Sequence, residues 1–272
     1  MELVDGYRVV AGKGGFAVAE RLPGPPCPFC GGVGRREVAI NGVMRVAKCR
    51  CQKVVDRIAL FNAANIPSRH ADSTIEGFRT DADGVAGTRP VRDFTRYWLD
   101  RYRVGGENKG MVLFGAPGRG KTHLLCGVVR ELIFRYGVRA RFVEFTHLLS
   151  RIREGIDRND GDATTLTPLV EVPVLAIDEL GKGRKTDWEQ TIIDEIITRR
   201  YNAGGVLLAT TNFPIKPVDR RPRDPSSSLT LAMPGQETLA ERLGERVFSR
   251  MMETVEFFPA TGEDYRVLQT RR

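Results

Sequence analysis

The run Gly115-Ala116-Pro117-Gly118-Arg119-Gly120-Lys121-Thr122 constrains this chain more than any other stretch. It follows a short apolar run at 111–114 and opens a mostly apolar helical stretch at 122–136. A Gly-x4-Gly-Lys-Thr loop between a strand and a helix is a phosphate cradle. Gly115, Gly118 and Gly120 let backbone N–H groups turn toward an anion with no Cβ in the way. The helix N-terminus adds positive dipole. Lys121 is placed to reach β- and γ-phosphates, and the Thr122 hydroxyl to bind Mg²⁺. Pro117 and Arg119 occupy the variable positions.

A strand that feeds such a loop belongs to a parallel sheet, and the rest of the chain supplies its neighbours. Residues 172–177 form a continuous apolar run, as a buried parallel strand should. Asp178 ends it, and a carboxylate there can hold Mg²⁺ through water. Glu179 follows and can orient or deprotonate an attacking water. Residues 206–210 read as another buried strand, closed by Asn212, whose neutral amide can hold the same water. Strands are also expected at 141–144 and 255–258, with helices at 147–156, 188–201 and 239–253. Residues 157–166 read as a polar loop, and 214–236, with five prolines and three consecutive serines, as a loop or insertion. The alternation predicts an α/β fold with helices on both faces of a parallel sheet. In the helix expected over 239–253, Arg242, Arg246 and Arg250 recur every four residues and line one face. One reading is a solvated stripe paired with Glu241, Glu245 and Glu253. The other is an arginine finger reaching a neighbour's ATP. Arg266, sixteen residues past Arg250, can touch the γ-phosphate from its own subunit.

The 272 residues suit one such domain plus a small appendage. No apolar run approaches ~18 residues and the first residues lack a signal-peptide core, so no membrane association and a cytoplasmic location are expected. In a reducing compartment five cysteines do not form a disulfide framework. Cys126 sits in an apolar helical stretch and reads as core. Cys27-Pro-Phe-Cys30 and Cys49-Arg-Cys51 form two close pairs, which suits a tetrahedral Zn²⁺ site of structural type. Residues 1–55 are thus expected to be a zinc-binding domain, 56–72 a connector and 73–272 the ATPase domain. Residues 1–70 hold 11 Lys/Arg and 5 Asp/Glu, so most of the net charge of +8 is N-terminal, which favours polyanionic partners.

Residues 57–272 resemble the AAA+ ATPases of the DnaC/DnaI type, the replicative helicase loaders, and the related IstB-type transposition helpers. The resemblance rests on Ile66-Pro67, Ile75-Glu76-Gly77-Phe78, Gly115 to His123, Ile177-Asp178-Glu179-Leu180-Gly181, Arg199-Arg200-Tyr201, Thr211-Asn212, Gly244-Glu245-Arg246-Val247, Arg250-Met251 and Asp264-Tyr265-Arg266. It implies nucleotide contacts along Gly115 to His123, the finger role on Arg250 and a sensor role on Arg266. It also implies ATP hydrolysis, shared ATP sites between self-associated subunits, and two partners: a hexameric replicative helicase and single-stranded DNA. The cysteine module resembles the zinc-bearing N-terminus of some loaders, a docking platform for the helicase. The segment 214–236 departs from the short connection expected there. Trp188 occupies a place near single-stranded DNA in such loaders, yet its spacing to Ile192 favours core. Two other readings stay open: an IstB-like helper acting on duplex target DNA, and a zinc-bearing nucleotide switch with little turnover.

Overall fold

The computed structural model describes residues 6–81, 85–215 and 236–270. Two antiparallel hairpins come first: β1 (Tyr7–Ala11) with β2 (Ala17–Arg21), and β3 (Arg35–Ile40) with β4 (Val43–Lys48). Helix α1 (Gln52–Ala63) follows, then α2 (Arg89–Arg101). The central sheet is built from β5 (Gly110–Phe114), β6 (Ala140–Glu144), β7 (Val174–Asp178), β8 (Val206–Thr211) and β9 (Val255–Pro259). All pairings are parallel, in the order β6-β7-β8-β5-β9.

Residue alternation along each strand makes two cores. Met111 and Leu113 of β5 face one, Val112 and Phe114 the other. The first core is covered by α1, α2 and α3 (Lys121–Glu131), whose last turn continues as a wider turn over Leu132–Tyr136. The second is covered by α4 (Phe145–Asp157), α6 (Thr167–Glu171), α7 (Asp187–Ala203), α8 (Leu239–Leu243) and α9 (Glu245–Thr254), with the single turn α5 (Asp162–Thr165) between α4 and α6. A short α10 (Tyr265–Thr270) ends the described chain. Because β7, β8 and β5 are neighbours, the residues just past their C-terminal ends meet in one crevice.

Several expectations change. The helix expected over 239–253 is two helices, broken at Gly244 (φ 91°, ψ 142°), so Arg242 does not share a face with Arg246 and Arg250. The polar loop at 157–166 contains α5. Helix α2 buries Val91, Thr95, Trp98 and Leu99, a helical spacing present in the sequence but masked by its arginines. Trp188 is half-buried against the second core, with the Arg153 guanidinium 4.5 Å from its ring centroid. Of the Pro-rich segment 214–236, residues 216–235 lie outside the described residues.

Hairpin β1–β2 is layered onto the first core. Ala17 and Ala19 are buried there, and Tyr7 stacks on Phe134 with ring centroids 3.7 Å apart. The Asn62 side chain of α1 acts as a strand rung, accepting from Ala19 N–H at 2.7 Å and donating to Ala19 O at 3.2 Å. Residues 27–51 form a separate cysteine-centred unit carrying the β3–β4 hairpin. Among the described residues no helix is long and apolar enough to cross a membrane.

Candidate functional site

The loop after β5 wraps the start of α3. Gly120 is the N-cap of that helix with φ 73°, and Gly118 has φ 77°, both in the left-handed region that favours glycine. Side chains would also collide there: a Cβ on Gly118 would strike the Asp264 carboxylate, and one on Gly120 the Phe78 ring. Phe78 and Asp264 therefore press the loop from either side.

Lys121 is buried, and its ammonium donates to Gly115 O at 2.7 Å, Ala116 O at 2.8 Å and Asn212 Oδ1 at 2.8 Å. Three protons meet three acceptors. Burial lowers its pKa to about 8, against the opposing pull of Asp178, so it still carries charge at neutral pH. Asn212 turns its oxygen to Lys121, which leaves its amide N–H groups as donors for anything else in the crevice.

Asp178 is 2% exposed. Its carboxylate accepts from Thr122 Oγ1 at 2.9 and 3.1 Å, and from Thr210 Oγ1 at 2.5 Å. Burial raises its pKa, opposed by those two hydroxyls. A desolvated carboxylate beside a hydroxyl is a hard oxygen pair, which fits Mg²⁺. Arg69, from the stretch before the ATPase strands, adds positive field at Asp178, a contribution that its position in the sequence did not signal.

Glu179 takes a left-handed backbone, φ 56°. Its N–H donates to Thr210 Oγ1 at 3.0 Å, and its carboxylate pairs with Lys182. Such a conformation costs a non-glycine residue about 1–2 kcal/mol. It ends the extended backbone of β7 at Asp178, so Glu179 starts the following loop instead of continuing the strand.

Behind the loop, His123 Nε2 donates to Thr74 O at 2.8 Å. A carbonyl can only accept, so His123 Nδ1 accepts from Ser73 Oγ at 3.3 Å, and Ser73 accepts from His70 Nδ1 at 3.0 Å. Both rings are neutral in this chain of bonds. Burial lowers both pKa values, that of His70 to about 4. His123 thus faces away from the cradle toward residues 70–78.

Asp264, Tyr265 and Arg266 close the far side. Tyr265 N–H donates to Gly118 O at 3.0 Å, Arg266 N–H to Asp264 Oδ1 at 2.9 Å, and the charge of Arg266 bears on Lys121. Arg250 is engaged elsewhere, on Asp194 Oδ1 at 3.1 Å. Arg242 donates to Gly181 O at 2.5 Å and to Gly183 O, stapling the loop after Asp178-Glu179.

Residues 99–271 match the family described as IstB-like ATP binding protein. The chain belongs to that family. It is 25% identical over 193 residues to the replicative helicase loader DnaC of Escherichia coli K12, across 70% of this chain and 67% of that one. A crystal structure of the DnaC helicase loader has a TM-score of 0.57 at 27% identity, covering 70% of this chain and 98% of that one. A crystal structure of DnaI, with a TM-score of 0.54 at 19% identity over 74% of this chain and 94% of that one, shares the fold. The sheet is that of an AAA+ domain of the DnaC type.

The four paired cysteines converge. Their Sγ atoms all lie within 4.8 Å of one another, with Cys27–Cys49 at 3.7 Å and Cys30–Cys51 at 3.5 Å. Ligands about 2.3 Å from a tetrahedral zinc are about 3.8 Å apart, so the set fits that ion. Gly34 N–H donates to Cys30 Sγ at 3.2 Å and is the main cause of a pKa lowered to about 7, while burial pushes the adjoining Cys51 thiol up to about 12. Such a site pins the loops from which the β3–β4 hairpin rises.

Proposed function

We propose that this chain is an ATP-dependent helicase loader that binds a hexameric replicative helicase and single-stranded DNA and places the ring on DNA. The observation that carries the reading is the hydrogen-bonded cluster of buried Lys121 and Asp178 with Thr122 and Asn212 at the ends of three adjacent strands, in a chain similar to DnaC over most of its length. Phosphate oxygens compete with Gly115 O and Ala116 O for the Lys121 protons. Thr122 and Asp178 would hold Mg²⁺, which would supply positive charge to the phosphates during hydrolysis. Glu179, once released from Lys182, orients the attacking water, and the Asn212 N–H groups steady it. Arg266 acts on the γ-phosphate within the subunit, and Arg250 from a neighbouring one.

The cysteine unit is the helicase dock. Its hairpin exposes Val43, Met44 and Val46 at 56–67%, and Val33, at the foot of the hairpin, is 78% exposed. Such a run of solvent-facing aliphatic side chains suits a protein partner better than a sugar–phosphate backbone. Single-strand binding then belongs to the ATPase domain and weakens steeply with salt. Membership of the IstB-like family keeps one rival, a transposition helper on duplex DNA.

The test mixes the chain with a ring-closed hexameric replicative helicase, ATP and circular single-stranded DNA. Helicase retained on the circle only with ATP and this chain supports the reading. No transfer, together with ATP-dependent filaments on duplex DNA, selects the transposition helper instead.

A further inference from the structure

Helices α7 and α9 lie side by side, and one carboxylate organises the charges between them. Asp194 Oδ1 accepts from Arg250 Nη1 at 3.1 Å and from Thr198 Oγ1 at 3.0 Å, while Oδ2 lies 3.2 Å from Arg246 Nη2. The side chain of Arg250 is 24% exposed and that of Arg246 71%. Two guanidinium groups thus share one carboxylate. Arg250 commits one nitrogen to it, and its other N–H groups are not used in this pair.

Other contacts also join these helices. Tyr201 Oη donates to Glu253 Oε2 at 2.6 Å across the same contact. Ile193, Ile197, Val247 and Met251 bury their side chains in the core beneath. A charge cluster added to a contact that already has an apolar base and a second polar tie invites a role beyond adhesion.

We propose that Asp194 is a positioning residue that presents Arg250 to the ATP of a neighbouring subunit, with Arg246 as the cation that stays behind on Asp194. The inference rests on the shared-site reading of the previous section. An arginine on a free stem loses up to ~2 kcal/mol of rotamer entropy when it is fixed on a phosphate. Asp194 removes most of that freedom before the subunits meet. A carboxylate holding one arginine alone would also compete with the phosphate for it. Arg246 on the other oxygen balances the charge of Asp194, whose side chain is 30% exposed, so Arg250 can turn its remaining donors outward.

The test is steady-state ATPase on full-length protein at assembling concentrations, with mixed-subunit and double-mutant arms. Asp194→Ala should lower kcat about tenfold, the scale of a misplaced catalytic group, with KM for ATP changed less than about twofold. Asp194→Glu should restore part of the rate. The double variant Asp194→Ala/Arg250→Ala should be no slower than Arg250→Ala, because both changes remove one function. Mixing Asp194→Ala with Glu179→Gln should recover activity, as one interface then pairs an intact Arg250 with an intact Glu179. Asp194→Asn, which keeps the side-chain volume and the Thr198 contact, covers the case in which alanine disturbs folding. Additive losses in the double variant, in step with a lowered Tm, would show a staple and overturn the proposal. A slow Arg250→Ala beside Asp194→Ala and Asp194→Asn proteins at the parental rate would overturn it alone. Arg250→Ala at the parental rate would instead remove the shared-site reading beneath it.

Discussion

Glu179 and His70 show how local chemistry is bought with backbone and burial. Asp178 and Glu179 were legible because an apolar strand ended on two acids. What the sequence did not show was the left-handed backbone at Glu179, or the Lys182 pairing that engages it. If Glu179 is the water-orienting group, Glu179→Gln should bind ATP normally and lose most turnover, while Lys121→Ala should lose ATP binding. Phosphate release by Glu179→Gln within about twofold of the parent would remove that role, since such a group contributes 10²-fold or more, roughly. The His70–Ser73–His123 chain had no signature, because His123 lies 50 residues beyond Ser73 and meets it only through packing. It carries a pH dependence whose sign is fixed. His70 titrates near 4 in the fold against an ordinary value of 6.5, so the unfolded chain takes up the proton first. Its contribution is complete above 6.5 and is lost as pH falls toward 4. We expect denaturant-derived stability to drop by about 1 kcal/mol from this group between pH 6.5 and 5, allowing for its partial exposure. His70→Gln should remove that part of the slope; an unchanged slope would refute the assignment.

At the level of elements, the strands were readable and the breaks were not. Buried parallel strands are continuous apolar runs, and β7 and β8 stood out as such. The sequence predicts one helix over 239–253, and arginines at four-residue spacing line one face only if its turns are unbroken; Gly244 is the signal to stop. The break redirects Arg242 to the Gly181 and Gly183 carbonyls, so one stripe serves two tasks. Arg200 is the comparable case inside the second layer. It is 2% exposed, and its guanidinium donates to the carbonyls of Leu169, Val170, Val172, Pro173 and Val206. These carbonyls belong to the end of α6, the approach to β7, and the start of β8. One planar fork therefore sets how three elements meet, with burial lowering its pKa to about 10. Arg200→Leu would leave those oxygens without this donor, and Arg200→Lys would reach too few of them. Either change should cost about 3–5 kcal/mol, read as a lowered midpoint in urea. A loss under about 1 kcal/mol would show that water replaces the fork.

Across the whole molecule the question is where the N-terminal region ends and the ATPase unit begins. Composition and cysteines set residues 1–55 apart as one block, yet the structure layers the β1–β2 hairpin onto the first core. Short strands such as these carry little pattern of their own, and their register follows from the surface that they cover. Ala17 N–H donates to Ile66 O at 2.7 Å, Asn62 completes the Ala19 rung, and Tyr7 lies on Phe134. Phe61, Ala64 and Ile66 are buried at this seam. A cut at residue 56 therefore does more than remove a dock. It uncovers Phe134 and Ile66 and leaves Ile66 O, Ser68 N–H and the Asn62 amide without these partners, a loss of about 3 kcal/mol or more. A fragment 56–272 is expected to melt well below the full chain and to aggregate, so its failure in a helicase assay would say nothing about docking. Point changes on the exposed hairpin avoid that trap. Met44→Glu with Val46→Glu lies on two solvent-facing positions, so Tm, ATPase rate and salt-sensitive single-strand binding should stay at parental levels while a pull-down of the helicase is lost. Labelled single strands followed by fluorescence anisotropy give the other half of the comparison. If the double variant keeps the helicase and loses the strand, the cysteine unit is the DNA-binding element and the division of labour proposed here is reversed.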